Sequence, residues 1–255
     1  MISGFPVGAV RAPADGRSLR AGDARTMLGR VLAPVALLIV LAAGCGGSPG
    51  PSASQIVERS ATATSALKSF HLLVHIENVP AAKTGVSLTF VDGDVAVPDR
   101  VRARVAGTFN AVPLASELIV VGDRHFLKNP FTGAWESASI AMTAVAFFDP
   151  AKGVLAVIKN ASDLESDGSE AVGGVDCFRL KAKVRGDAVA PLVGSAAAGS
   201  KLLPVSLWIG KKDDLLRRVR LSGPIGAGEG AAAVRTVELS KFDQPVQITA
   251  PATGS

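Results

Sequence analysis

Tyrosine is absent from this 255-residue chain, aromatic residues make up only 5% of it, and Trp135 and Trp208 are its two tryptophans. A platform that stacks sugars or bases needs exposed rings, so a glycan-stacking platform is poorly supported. Nucleic acid is not a partner either, because no basic cluster with interleaved aromatics occurs. Histidine is almost as scarce, with His71, His75 and His125. His71 and His75 have the i, i+4 spacing of a helical metal pair, but no carboxylate lies between them and the segment reads as the start of a strand. On a strand they would share a face yet stand too far apart for tight chelation. There is no Gly-x-Ser-x-Gly elbow and no phosphate-cradling glycine loop. The residues therefore offer no catalytic group, no metal set and no cofactor motif, and they argue against an enzyme. The acidic run Asp163-Leu164-Glu165-Ser166-Asp167 resembles a calcium loop without its later ligands and reads as a solvated loop.

The apolar run Val31–Leu41 has 11 residues, where a membrane-spanning helix needs roughly 20. It ends in Leu41-Ala42-Ala43-Gly44 before Cys45, with Gly46-Gly47-Ser48-Pro49-Gly50-Pro51-Ser52 following. A short apolar segment closing on small residues is an export signal, and a cysteine at the cleavage point resembles the signal of a bacterial lipoprotein. That resemblance implies cleavage after Gly44, a lipid on Cys45, and a protein held on the outer face of the cell membrane. One departure is Ala42, three before the cysteine, where Leu is commoner. Arg25 and Arg30 supply positive charge ahead of the run. The stretch before them, with Arg11, Gly16, Arg17, Arg20 and Gly22, resembles no structural element, and Met27 is an alternative start.

Five of the 27 basic and two of the 22 acidic residues precede Cys45, which leaves 22 and 20 in the 211 residues from Cys45 onward. The near balance implies no polyanion partner. That length suits one domain with a substantial core. With Cys45 acylated, only Cys177 remains, so no intramolecular disulfide can form. Residues 1–44 are thus read as the signal, 45–53 as a flexible Gly/Pro/Ser tether, 54–250 as the folded domain and 251–255 as a tail. Eight extended tether residues reach at most about 26–29 Å, so the body would sit close to the membrane.

A helix is expected at about 54–68, with Ser52 or Ser54 as N-cap and a stripe of Ile56, Ala63 and Leu67. From His71 the period changes to two. Leu73–Glu77 and Val86–Val97 read as strands, the second with a bulge at Asp92-Gly93-Asp94. In Arg100–Val105 arginines alternate with apolar residues, one wet face against one dry. Leu114–Val121 and Arg124–Lys128 flank Gly122-Asp123 as a hairpin. In Leu118-Ile119-Val120-Val121 both faces are apolar, so this strand is expected to be covered on two sides. Strands resume at Val175–Arg185, Leu203–Gly210, Leu215–Ser222 and Val234–Phe242, with a turn at Lys212-Asp213-Asp214. Cys177, in phase with Arg179, Lys181, Lys183 and Arg185, is expected on the outward face as a bystander thiol.

Residues 137–160 concentrate apolar side chains, among them Ile140, Met142, Val145, Phe147 and Phe148. Asp149-Pro150 supplies an N-cap and a first-turn proline for a helix through Leu155 and Ile158, and Asp187–Val193 is expected to start another. Two arrangements fit such a lid: packed shut on the dry face as solid core, or leaving a cavity.

The lipobox, the Asp92-Gly93-Asp94 strand, the Asp149-Pro150 helix, Pro204-Val205-Ser206-Leu207-Trp208-Ile209 and the closing Leu239–Thr249 segment together resemble the LppX/LprAFG lipoproteins of mycobacteria and related envelopes. The similarity spans nearly the whole chain after Cys45. It implies an α+β fold similar to the LolA/LolB lipoprotein carriers, a strongly twisted antiparallel half-barrel sheet closed by short helices around an apolar cavity. It also implies a function: binding the acyl chains of lipids such as phosphatidylinositol mannosides, lipoglycans or waxes, and carrying them within the envelope. No catalytic motif comes with it, so the cavity positions rest on strand parity. They are Val101 and Val105, Phe178, Leu180 and Val184, Leu207 and Ile209, Val219 and Leu221, with Ile140, Phe147, Phe148, Leu155 and Ile158 from the lid. The partners implied are acylated lipids or glycolipids, and the membrane through Cys45. The alternative is a solid-core lipoprotein acting as scaffold or as partner of a membrane transporter.

Overall fold

Ser52 opens the first helix: its hydroxyl accepts from the Gln55 backbone N–H at 3.3 Å, and the Gln55 side chain accepts from Ser52 N–H at 2.9 Å. This reciprocal cap satisfies two orphan donors and starts α1 at Ala53. α1 ends at Ser65, short of the expected 68, because the Lys68 N–H is taken at 2.7 Å by the Asp243 carboxylate, which draws the chain into the sheet. The computed structural model describes residues 50–81, 86–138, 154–189, 199–226 and 228–253.

Eleven strands among the described residues form one antiparallel sheet. They are β1 (Ser69–Glu77), β2 (Val86–Ala96), β3 (Arg100–Phe109), β4 (Val112–Val121), β5 (Arg124–Lys128), β6 (Trp135–Ser137), β7 (Ser162–Val172), β8 (Val175–Arg185), β9 (Leu202–Gly210), β10 (Leu216–Ser222) and β11 (Val234–Ser240). Short helices α2 (Val154–Lys159) and α3 (Gly186–Val189) precede β7 and follow β8. The spatial order is β6-β5-β4-β3-β2-β1-β11-β10-β9-β8-β7, so all adjacent strands are consecutive in sequence except at the centre, where β1 joins β11 from His71↔Ser240 to Glu77↔Val234. The result is a half-barrel sheet with helices on its inner face, the α+β architecture expected. The Asp149-Pro150 helix start lies outside the described residues.

One apolar cluster runs along the inner face. It joins Val91, Val101, Ala103, Leu118 and Val120 on one half of the sheet to Leu180, Val184, Leu207 and Val219 on the other. Ile56 and Val57 of α1 and Leu155, Val157 and Ile158 of α2 roof it. The arginines of β3 alternate outward with Val101 and Ala103 inward, as the pattern predicts. Ile119 faces the other way. It packs with Phe126 under Val246, Ile248 and Ala250, so the C-terminal segment supplies the second cover for the doubly apolar strand. Arg100 fastens that segment, donating to the Ile248 carbonyl at 2.7 Å.

Four expectations are corrected. No bulge occurs at Asp92-Gly93-Asp94, which pairs in regular register with Arg104, Ala103 and Arg102; the slip is at Leu88/Phe90. Gly93 instead permits close approach, since a Cβ there would lie 2.4 Å from the Arg102 carbonyl oxygen and 2.5 Å from the Ala103 Cβ. Gly93→Ala is therefore expected to force β2 and β3 apart and lower stability by about 1–3 kcal/mol, measured by urea unfolding; an unchanged midpoint would contradict the close approach.

The acidic run at Asp163–Asp167 is not a loop but part of edge strand β7. Its side chains meet the basic row of β8, with Lys183–Asp163 at 2.9 Å, Lys181–Asp167 at 2.7 Å and Arg179–Asp167 at 3.0 Å. Cys177 has the outward parity expected but is fully buried, covered by Val172 and Trp208, and burial pushes its thiol pKa up. β6 was not expected at all.

Candidate functional site

The inner face has two parts of different character. Across β8 to β10, Leu180, Val184, Leu207 and Ile209 are wholly buried, and Val219 and Leu221 nearly so, beneath α1 and α2. Leu155 and Ile158 of α2 are buried in the same cluster, as is Val101 of β3. A wholly buried side chain borders no space that admits water, so these positions are packed. Val105 and Phe178 differ, because they touch the cluster while keeping exposed surface. The structure thus brings eleven of the expected positions into one apolar body. Ile140, Phe147 and Phe148 lie outside the described residues.

Two partly exposed inner positions escaped the parity reading. Leu88 is out of phase with Val91 and Val95 in sequence, but the slip at Leu88/Phe90 turns it inward opposite Gly107. Ile76 continues the inner row of β1 beyond Leu72 and Val74. Ile76, Leu88 and Val105 stand on neighbouring strands and form an apolar strip that the described helices do not seal. The only sequence signal for Leu88 is the triplet Leu88-Thr89-Phe90, two apolar residues around one that a bulge can absorb.

A charged pair interrupts the apolar lining. Arg235 of β11 shares parity with Val237 and Leu239 and lies between Ile76 of β1 and Leu221 of β10, so it points inward. Its Nη2 donates to Glu229, both side chains being buried (5% and 7% exposed). The other Glu229 oxygen accepts the Ile225 N–H at 2.9 Å, and Ile225 is wholly buried in the same cluster. Burial alone would raise the Glu229 pKa, but the Ile225 and Gly226 amides and the Arg235 guanidinium outweigh it and hold the carboxyl below its ordinary range. A depressed carboxyl stabilises the fold above its unfolded pKa, and that contribution is lost as pH falls through the lower, folded value. The melting-temperature advantage of the wild type over Glu229→Gln is thus expected to be constant from pH 8 to 5 and to shrink below about pH 4.5. A gap that instead closed between pH 8 and 6 would contradict this.

The outer face carries ion-paired side chains beside the apolar patches around Ile119 and Cys177. A trough of about 480 Å³ on this face is lined by Phe90, Asp92, Arg104, Val105, Ala106, Ala115, Glu117 and Lys128 and bounded by the β5–β6 turn. Phe90, Asp92, Arg104 and Glu117 have the outward parity, opposite to the apolar strip, although Val105 of the strip also borders the trough. His71 sits between Asp94 at 2.8 Å and Asp92 at 3.2 Å, while His75 packs edge-on against Phe90, so the two histidines take separate partners. Trp208 is buried between the Arg179 and Arg218 guanidiniums at 5.5 and 5.4 Å from its ring, and its indole N–H donates to Glu170. Among the described residues no group of three His, Cys, Asp or Glu is placed to hold a metal ion.

The chain is similar to a lipoarabinomannan carrier protein, LprG, of Mycolicibacterium smegmatis, at 26% identity over 237 residues, covering 87% of this chain and 95% of that one. It is also similar to a putative diacylated glycolipid transporter, LprF, of Mycobacterium bovis, at 25% identity over 198 residues, 70% of this chain and 74% of that one. The crystal structure of M. bovis LprF superposes with a TM-score of 0.64 at 24% identity, covering 81% of this chain and all of that one. The crystal structure of Mycobacterium tuberculosis LppX superposes at 0.56 with 20% identity, covering 79% of this chain and all of that one. Both share the fold. The profile of the LppX_LprAFG lipoprotein family matches residues 52–248, from the cap of α1 to the strap over Ile119, and the chain belongs to that family.

Proposed function

We propose that this protein is a lipid carrier of the cell envelope, anchored by a lipid on Cys45, that holds acyl chains of lipids or glycolipids against its inner face and transfers them without chemistry. The observation that carries this reading is the strip of Ile76, Leu88 and Val105, an apolar surface on the inner side of the sheet that α1 and α2 leave partly exposed. The names of the relatives, one a lipoarabinomannan carrier and one a putative glycolipid transporter, support the same class of cargo. Phe178, on β8 and apart from the strip, is proposed as a separate contact, and Ile140, Phe147 and Phe148 are proposed as the facing wall.

Exposing an acyl chain to water costs about 0.8 kcal/mol per methylene, so a carrier must offer apolar surface that nearly matches the bilayer. The two-part inner face suits this demand. The packed half under α1 and α2 fixes the sheet, and the strip beside it can be covered by ligand without opening the core. The tether at 45–53 keeps the body within reach of its own membrane, and a transporter or second carrier would take the lipid onward.

The test uses the chain from Cys45 onward with Cys45→Ser, which contains every described element. It is expected to bind a fluorescent fatty acid saturably and to speed transfer of labelled diacyl lipid between vesicles. Absence of both effects would leave the packed-core scaffold as the function.

A further inference from the structure

Arg235 is costly for what it visibly does. Its position on the inner face, between Ile76 and Leu221 and beside Ile225, would accept an aliphatic side chain. The chain instead buries a guanidinium there, and among the described residues Nε and Nη1 have no acceptor. A guanidinium carries five N–H donors, and buried donors without partners cost free energy in proportion to their number. Holding the loop that carries Ile225 and Glu229 does not require this. A well-packed apolar pair in place of a buried ion pair is often as stable or more so.

Place supplies the second observation. Arg235 lies at a border of the packed inner face: Leu221 and Ile225 on one side are buried, and Ile76 on the other keeps exposed surface, with Leu88 on the strand beyond. A lipid lying along Ile76, Leu88 and Val105 would bring the polar end of its chain to that border. Glu229 orients the guanidinium through Nη2 and has its second oxygen committed to the Ile225 N–H, so Nε and Nη1, both buried, are left unpaired among the described residues and would be met by a ligand oxygen only if the cargo displaces the side chains that cover them.

We propose that Arg235 is an anion site within the lipid-binding face, one that receives a negatively charged oxygen of the cargo, a lipid phosphodiester or a fatty-acid carboxylate, and selects such lipids over neutral ones of equal chain length. This rests on the carrier reading and deepens it. The interaction is a charge-assisted hydrogen bond in a low-dielectric setting, where such bonds are strongest. A neutral lipid leaves the same donors unsatisfied.

The experiment displaces a neutral fluorescent acyl probe with matched pairs: phosphatidylglycerol against diacylglycerol, and palmitate against palmityl alcohol. The wild type is expected to prefer the anionic member of at least one pair by about tenfold or more, and the pair that discriminates identifies which anion is bound. Arg235→Met alone would strand Glu229, so the variant is Arg235→Met with Glu229→Gln, which keeps an acceptor for the Ile225 N–H. It is expected to bind the probe as the wild type does while its anion preference falls to about twofold or less; Arg235→Lys is expected to retain most of the preference. A wild type that binds both members of each pair equally, or a double variant that keeps its preference, overturns the anion site while leaving the carrier reading intact. Failure of the wild type to bind the probe at all removes both.

Discussion

Leu207→Ala is expected to cost about 3–5 kcal/mol of stability and to lower the melting temperature by roughly 8–15 °C for a chain of this size. Leu207 is wholly buried in β9, with Leu180 of β8 and Val219 of β10 as its cross-strand neighbours on the inner face and α1 among the elements above. Both neighbours belong to strands paired on each side, so the surroundings can collapse only partly into the space left behind. The cavity term then adds to the lost transfer energy and places the cost at the high end for such truncations. Urea unfolding of the soluble chain measures it. A loss below about 1 kcal/mol would mean that Leu207 borders yielding space and that the half of the sheet under α1 and α2 is not packed as described.

Val105→Trp is expected to act in the opposite way, removing most lipid binding while leaving stability nearly unchanged. Val105 pairs with Val91 of β2 and Ser116 of β4, faces the inner side and keeps exposed surface. An indole can therefore extend over the strip without pushing into the wholly buried set, so the change in unfolding free energy should stay within about 0.5–1 kcal/mol. The ring would occupy the surface proposed for the acyl chain, and affinity for a fluorescent fatty acid should fall by about tenfold or more. Unchanged affinity would move the acyl chain away from β3. A large stability loss without an affinity change would show that Val105 is core.

Strand parity made much of this legible before any coordinates. The alternations in Arg100–Val105 and Val175–Arg185 assign inner and outer faces correctly, and all eleven of the expected positions that are described sit in one cluster. Leu118–Val121 announced two covers, and the second proved to be residues 246–250, far away in sequence. What stayed hidden has long-range causes. β7 is an edge strand whose acidic residues are compensated by the Lys and Arg row of β8, so its own sequence shows little apolar period. Cys177 shares the parity of charged residues, yet the breadth of Trp208 on the adjacent strand covers it. Leu88 faces inward only because the pairing with β3 slips by one residue. Arg235 escaped the sequence reading, although it stands in phase with Val237 and Leu239. Its meaning depends on Glu229, which a loop brings to it.

The contrast between the packed inner face and the strip at its border also explains why burial alone cannot identify cargo contacts. Leu180, Val184, Leu207 and Ile209 are expected residues with no contact with open space, whereas Val105 and Phe178 keep some. Specificity in such a site would come less from the number of apolar residues than from the one charge set among them, because apolar surface discriminates weakly between chains.

Native mass spectrometry of the chain from Cys45 onward with Cys45→Ser, exported and purified from an envelope rich in acylated lipids without detergent, tests the central claim most directly. The expected spectrum shows a protein peak raised by the mass of a bound acylated lipid, which organic extraction removes and Val105→Trp largely abolishes. A spectrum showing only the bare polypeptide, unchanged after incubation with lipid vesicles, would contradict the carrier account.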